Sequence, residues 1–551
     1  MVKTFLRYKY IILVLVLSTF SVRALFHSGL PPTHDGEYHV IRFYEFHKVL
    51  SEGTIYPRWA ADLNNGMGAP LFNYVYPLPN YFSSFTHSFG FSFIDSFKLN
   101  LIFATIVGSI FMFLFSRIFF GNIGGLVSSV YYTYVPYRFL DIFIRGSVGE
   151  VWALAFFPAL LWSITKLYVE KHKVYIPISG LFLALVVFSH NILALMFFVF
   201  SAVYVGLMAL PTRDKKFTAN AIASMLLGLG ISSVFWVPAL LEKRYVRGLD
   251  IFNFKENFPD IYQLIIPSWG SGFSGGAITN QMSFQIGIGN LFVILLSTIL
   301  VIRLRKKLRR EIFFFLVSFF VVFFLMTRNS IILWDNIPLL SYFQFPWRLL
   351  SLEMFIVSFL AGFVATEITK AKIFPRKLKS LILAFILLVP VLTTLSYAKP
   401  AFYHEREDNH YTTRPNFISG TNSPGDVFNT IWAKDIIHQI KSFEFEKGVG
   451  EIKISKKSST SYDLKIETGG EAIVRSSLMY FPGWVLSVDG REEKIFPDKN
   501  GQIKFVVVGG EHMANLRLNR TNIQSTASLV SIISALVLVL FLVRNYTIIR
   551  K

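Results

Sequence analysis

The sequence predicts an all-α polytopic membrane protein of about twelve transmembrane helices, with a small extracytoplasmic antiparallel β domain before the last helix. Three observations predict it. The 551 residues are 53% hydrophobic and 16% charged, with a mean hydropathy of +0.50, and a soluble chain of this length carries more charge. Apolar runs of roughly 17–25 residues, long enough to cross a bilayer as helices, recur along the chain. Between the last two runs the pattern changes to short alternating segments.

The runs lie near Tyr10–Phe26, Lys98–Ser116, Ile123–Leu140, Glu150–Leu167, Val174–Ser189, Ile192–Leu210, Ala219–Leu240, Phe284–Ile302, Ile312–Met326, Leu349–Glu367, Leu378–Leu395 and Ala527–Val543. The first follows Lys3, Arg7 and Lys9 as a signal peptide would, but no small-x-small cleavage site follows and Arg23 stands in its place, so it reads as a retained span. The net charge of +20 suggests nucleic acid, and its placement argues against that. Lysine and arginine gather between spans: Lys166/Lys171/Lys173, Arg213/Lys215/Lys216, RLRKKLRR at Arg303–Arg310, KAKIFPRKLK at Lys370–Lys379, and the tail Arg544/Arg550/Lys551. With the N-terminus inside, every one of these falls on the cytoplasmic side, as the positive-inside rule requires, and both termini are cytoplasmic.

Outside then lie Leu25–Phe97, the turn around Arg145–Gly149, Glu242–Met282 with Arg328–Trp347, and Lys399–Gln524. In the last, IKI (Ile452–Ile454), YDLKI (Tyr462–Ile466), AIV (Ala472–Val474), WVLSV (Trp484–Val488) and IKFVVV (Ile503–Val508) read as strands. Gly469–Gly470, Asp489–Gly490 and Asn500–Gly501 supply the turns. The domain division is 1–398 transmembrane, 399–524 β domain, and 525–551 last helix and basic tail. There are no cysteines, which excludes disulfides and thiolate metal sites.

The residues suited to chemistry fall on the outer segments. HDGEYHV (His34–Val40) follows the first span. A helix starting near Gly36 puts Asp35 and His39 on one face, with Arg42 a turn on. Asp35 as a simple N-cap explains one residue, but not Glu37, His39 and Arg42 beside it. Asp35, Glu37 and His39 are also metal-ligand types, without diagnostic spacing, so a divalent metal is left open. YPRWAADLNNGMGAPLFNYVYPLP (Tyr56–Pro79) reads as an interfacial loop resting on lipid, from which Arg58 and Trp59 stand out. In RGSVGE (Arg145–Glu150) an Arg and a Glu five apart form a surface ion pair in the plain reading, at a span mouth. FPWR (Phe345–Arg348) opens a span whose Glu353 is an intramembrane carboxylate. His190 and Asn191 stand between two spans. GSGFSGG (Gly270–Gly276) lacks the phosphate-loop pattern and reads as a flexible loop.

Acids, arginines and aromatics at the bilayer boundary suit a substrate whose lipid tail stays in hydrocarbon while its phosphate and cargo sit at headgroup height. Arginine holds phosphate oxygens bidentately, a carboxylate takes a proton from an acceptor hydroxyl, and aromatic faces stack on sugars. The rival readings are a transporter or lipid flippase, which tends to show internal repeats and broken helices, and a non-catalytic envelope scaffold.

The acidic motif in the first outer loop resembles the GT-C superfamily of membrane glycosyltransferases. The ordered pieces DGEYH, YPRWAADLNNGMGAPLFNY, RGSVGE, FWVPALLE (Phe235–Glu242), QFPWR and YFPGWVLSVDG (Tyr480–Gly490) resemble YfhO-type membrane proteins and the family called pyruvoyl-tetrahydropterin synthase-related. The pterin label implies nothing here, because no soluble pterin-enzyme pattern is present. The resemblance implies an extracytoplasmic glycosyltransferase in the cell membrane that uses a polyprenyl-phosphate sugar donor and a glycan, lipid or protein acceptor. It sets Asp35 at the catalytic acidic position and Glu150 at a second. The expected site is Asp35, Glu37 and Glu150 for catalysis, with Arg58, Arg145, Arg348, His39, Trp59, Glu353 and His190 binding substrate.

Overall fold

A computed structural model describes residues 2–210, 213–248, 253–274, 280–302, 306–413, 419–433 and 442–549. Residues 303–305 of the RLRKKLRR segment, 275–276 of the glycine run, and Arg550 and Lys551 of the tail lie outside the described residues.

The chain is a helical bundle with a β-sandwich inserted before its last helix. Among the described residues seven helices are long and apolar enough to cross a membrane, or eight when Arg309–Met326 and Arg328–Asn336, bent by 87°, count as one. Three shorter apolar helices, Tyr8–Ser21, Tyr175–Ser189 and Ile288–Val301, fall on expected spans. Two further expected spans share one helical stretch, Phe93–Thr133, broken at Gly121 by a left-handed φ of 68°. There the chain folds back: Ser129 Oγ donates to Ser109 O at 2.7 Å and the Ser109 and Thr133 hydroxyls meet at 2.7 Å. In one straight helix, residues twenty apart would lie about 30 Å apart.

The helix Leu350–Lys370 runs through the middle of the bundle, buried from Leu350 to Thr366. Small residues let it approach its neighbour. A side chain on Gly124 would strike Gly362 O, and one on Gly362 would strike Ser128 and Gly124. Gly124/Ser128 therefore faces Gly362/Thr366 in the small-xxx-small manner of membrane helices. The last helix, Asn522–Ile549, packs on Lys215–Leu241 through the Ser531 hydroxyl, which donates to Ile231 O at 2.6 Å.

The sandwich has strands β1 (Phe443–Lys447), β2 (Gly450–Ser458), β3 (Ser461–Thr468), β4 (Ala472–Met479), β5 (Trp484–Val488), β6 (Arg491–Glu493), β7 (Ile495–Pro497), β8 (Gln502–Val507) and β9 (Gly510–Leu518). They form sheets β1-β4-β8-β7 and β2-β3-β9-β5-β6, with every pair antiparallel. All five expected strands are present. Asp489 and Gly490, both at positive φ, turn β5 into β6 with Val488 paired to Arg491, the geometry an Asp-Gly turn favours.

The expectation that Tyr56–Pro79 rests on lipid needs correction. Trp59 and Met67 are buried in the sandwich core with Trp484 and Phe481, and Met479 N–H donates to Met67 O at 2.9 Å. An apolar ring that finds a preformed protein core has no reason to remain at a headgroup.

Candidate functional site

The site begins in PYRFLDIFIRGSVGE. Pro136–Phe139 forms one helical turn, Leu140–Arg145 a π-helical turn, and Gly146 closes it in the left-handed conformation at φ 67°. A π turn inside a helical run often marks a functional position. Here the wider π turn takes up an extra residue and shifts the side chains that follow it, so that Arg145 meets both Asp141 and Glu150 of the next helix, Val148–Glu170. A side chain at Gly146 would collide with Thr33, so glycine lets this turn dock on the first loop. Two backbone bonds complete the join: His34 N–H to Ile144 O and Asp35 N–H to Arg145 O, both 2.9 Å.

Glu150 lies in the first turn of its helix, where the dipole favours a carboxylate, and it is fully buried. Arg145 grips it with two bonds, Nη2 to Oε1 at 2.8 Å and Nη1 to Oε2 at 2.7 Å. Arg348, on the turn Pro346–Leu349, donates from Nε to Glu150 Oε1 at 3.0 Å. Tyr137 donates its hydroxyl to Oε2 at 2.9 Å. Arg145 also holds Asp141 at 2.6 Å. Nη1 of Arg348 reaches Gln344 Oε1 at 2.9 Å and Phe343 O at 3.1 Å. Trp347 lies under both guanidiniums, at 4.9 Å from that of Arg145 and 5.7 Å from that of Arg348. The Arg–Glu pair is therefore buried, not the surface pair of the plain reading.

Arg138 adds a third buried guanidinium, stacked over Tyr132 at 4.7 Å and close enough to Asp141 to act on its charge. Its Nε and Nη1 have no hydrogen-bond partner among the described residues. Three buried arginines thus share two carboxylates, an arrangement with room for one more anion.

Asp35 stands beside this cluster. It precedes the helix Gly36–Ser51 at the N-cap position without a side-chain cap bond. Thr33 Oγ1 takes the Gly36 N–H instead, at 3.1 Å. The half-buried Asp35 carboxylate makes no hydrogen bond or ion pair among the described residues. Desolvation raises its pKa above the ordinary aspartate range, while Arg145 and Arg42 act to lower it. The far end of the same helix is fastened to the sandwich, where Ser459 N–H donates to Glu52 at 2.8 Å.

The other expected residues divide. His190 joins the cluster: Nε2 is 3.8 Å from Glu150, its ring lies 5.2 Å from Tyr76, and Nδ1 caps the next helix. Glu37, two residues after Asp35, lines a cavity. His39 packs its ring by Phe43 and Phe97, and burial lowers its pKa, which keeps it neutral. Arg58 is held elsewhere, by Asn73 Oδ1 at 2.7 Å and Val234 O at 2.9 Å. Trp59 is a sandwich core residue rather than a substrate contact. Glu353 is fully buried with neither carboxylate oxygen hydrogen-bonded among the described residues. No group of three or more His, Asp or Glu side chains gathers as a metal site among the described residues; Asp35, Glu37 and His39 do not converge because the helix turns His39 inward.

Sequence reasoning missed Tyr137, Arg138 and Asp141. The signal was present: Arg138, Asp141 and Arg145 recur at i, i+3 and i+7 in an otherwise apolar run. Glu242 was also missed. It takes bonds from Asn73, Thr521 and Gln524, and ties the first loop to the last helix.

The family described as 6-pyruvoyl-tetrahydropterin synthase related domain, membrane protein, matches residues 72–402, more than half of the chain. The chain belongs to that family. The part matched to the 6-pyruvoyl-tetrahydropterin synthase related family contains Arg138, Asp141, Arg145, Glu150 and Arg348, and leaves out Asp35 and the sandwich. Among solved structures, the chain is similar to ArnT from Cupriavidus metallidurans bound to undecaprenyl phosphate, at 12% identity and TM-score 0.44, covering 72% of this chain and 71% of ArnT. It is also similar to the arabinofuranosyltransferase AftD from Mycobacteria, at 13% identity and TM-score 0.44, covering 71% of this chain and 26% of AftD. No curated protein matches the chain.

Proposed function

We propose that this membrane protein is a glycosyltransferase of the GT-C kind, which moves a sugar from a polyprenyl-phosphate donor to an extracytoplasmic acceptor of the cell envelope. The observation that carries the reading is the arginine surplus beside an unpaired aspartate: Arg138, Arg145 and Arg348 share Asp141 and Glu150, and the Asp35 main chain is bonded to Arg145. An anionic headgroup on a lipid tail meets the first feature, and an acceptor hydroxyl meets the second.

In the reaction the acceptor oxygen attacks the anomeric carbon as the bond from that carbon to the phosphate oxygen breaks. The leaving polyprenyl phosphate keeps the electron pair, and Asp35 takes the acceptor's proton. Charge grows on the phosphate as the sugar approaches an oxocarbenium state. Arg145 and Arg348 stabilise that charge through guanidinium donors already fixed in place. Glu150, engaged by both, positions them rather than taking the proton. Arg58, bound to Asn73 and Val234, supports the first loop.

The test follows transfer from polyprenyl-phosphate sugar donors by the purified protein. Asp35→Asn should fold and lose about 10²–10⁴ in rate, the usual worth of a general base. Transfer at the wild-type rate would end the proposal, and lipid movement without transfer would favour a flippase. Reporters placed in the Arg303–Arg310 segment and at Thr421 should read cytoplasmic and extracytoplasmic. The same side for both would overturn the assigned orientation.

A further inference from the structure

A cavity of about 430 Å³ opens beside the start of the helix Gly36–Ser51, within the size range of ligand sites. One wall is His34, Glu37 and Tyr38, which flank Asp35. The other is a loop that precedes the sandwich and contributes Asn422, Ser423 and Asp426.

The loop is fixed in place. Gly420 O accepts from Asn64 N–H at 3.0 Å, and Asn422 O accepts from Arg42 Nη2 at 2.6 Å. Asp426 Oδ1 accepts the Thr421 N–H at 2.8 Å. Against this order, Asn422 is an anomaly. It is 4% exposed, and neither its amide nitrogen nor its amide oxygen has a hydrogen-bond partner among the described residues. A buried amide without partners costs free energy that a ligand returns. Glu37, across the cavity, makes no hydrogen bond or ion pair among the described residues either.

We propose that this cavity is the acceptor subsite and that its ligand is a neutral polyhydroxyl compound, held by Glu37, Asn422 and Asp426 so that one hydroxyl faces Asp35. The proposal rests on the glycosyltransferase reading above. Carboxylates only accept hydrogen bonds, an amide accepts and donates, and adjacent sugar hydroxyls do both, so this set matches a polyol. Tyr38 adds an aromatic ring to the same wall. With two carboxylates in the lining, a small cation is the competing ligand that the experiment must exclude.

The experiment uses the full chain in lipid nanodiscs. Saturation-transfer NMR reads binding of methyl β-D-glucopyranoside and myo-inositol, with putrescine as the cationic comparison. A thermal shift with undecaprenyl phosphate reads the donor site separately. Wild type should give polyol signals. Asn422→Ala and Glu37→Gln should weaken polyol binding by about tenfold, the loss expected for one hydrogen bond to a buried partner, with the undecaprenyl phosphate shift retained. Glu37→Gln keeps the size of an unpaired, half-buried side chain, so it reports even where Asn422→Ala fails to fold. The proposal is overturned by absent polyol signals in wild type, by unchanged binding in the folded variants, or by putrescine displacing the polyols. Loss of the undecaprenyl phosphate shift in wild type, with polyol binding intact, would instead strike the donor reading.

Discussion

Glu150→Gln removes one negative charge and almost no volume, so its consequences can be worked from the contacts. Glutamine still accepts from Tyr137, which donates at 2.9 Å. Arg145 keeps Asp141 at 2.6 Å. Arg348 keeps only neutral acceptors, Gln344 and Phe343 O, and is 4% exposed. One guanidinium is thus left buried without a carboxylate, and removing one partner from a buried pair costs about 3–5 kcal/mol. The variant should melt well below wild type in detergent. A phosphate in the same cluster would restore the missing anion, so undecaprenyl phosphate should raise the variant's melting temperature by more than it raises that of wild type. The assay is thermal unfolding of both proteins with and without the lipid. A variant within about 1 kcal/mol of wild type, a value typical of exposed pairs, would refute the buried-pair reasoning. Equal lipid shifts would refute an anion site at these arginines.

Arg348→Lys keeps the charge but replaces the planar fork, whose Nε and Nη1 reach Glu150 and Gln344 from different nitrogens, with a single ammonium centre, so donor affinity and turnover should both fall; wild-type values in a transfer assay would show that this arginine only anchors the span. Asp35 works as a base only when ionised, and its pKa is raised, so the transfer rate should climb with pH through a limb lying above the ordinary aspartate range; a limb at ordinary values would contradict the desolvated site. The linkage has the matching sign: a carboxyl raised in the folded state contributes stability below its unfolded pKa and loses it as pH rises through the folded value, so Asp35→Asn should melt higher than wild type at neutral pH and no higher in acid. Glu45, buried with its pKa pushed up to about 8 by desolvation and by Asp62, predicts the same for Glu45→Gln: stability at pH 7 should rise, and the decline of wild-type stability between about pH 4.5 and 8 should flatten in pH-dependent melts.

The class of the molecule is legible without any fold, because the signals for class are local. A run of twenty apolar residues must be a helix in lipid, and Phe93–Thr133, Leu350–Lys370 and Asn522–Ile549 meet that demand wherever they pack. Alternation with Asp-Gly at its end was enough for β5, and β6, the wholly exposed REE, offered no alternation to read. The alternation was too weak for β9, where only Ala514 and Leu516 are buried and the apolar Met513 is exposed. The candidate site was legible where charge interrupts apolar sequence, at Asp35, Arg145, Glu150 and Arg348. What each charge does depends on the packing around it. Arg145 and Glu150 are five residues apart, and only the π turn and Gly146 convert that spacing into a two-bond clamp. Arg348 lies nearly two hundred residues away and reaches the same carboxylate because its helix runs through the middle of the bundle. Trp59 looked like an interfacial aromatic and became sandwich core, and Asn422, an ordinary loop residue by sequence, became an unpaired amide on a cavity wall. Periodicity reports which face of an element is apolar; it carries no information about which other element that face will meet, and buried polar groups acquire their partners, or lack them, only at that meeting.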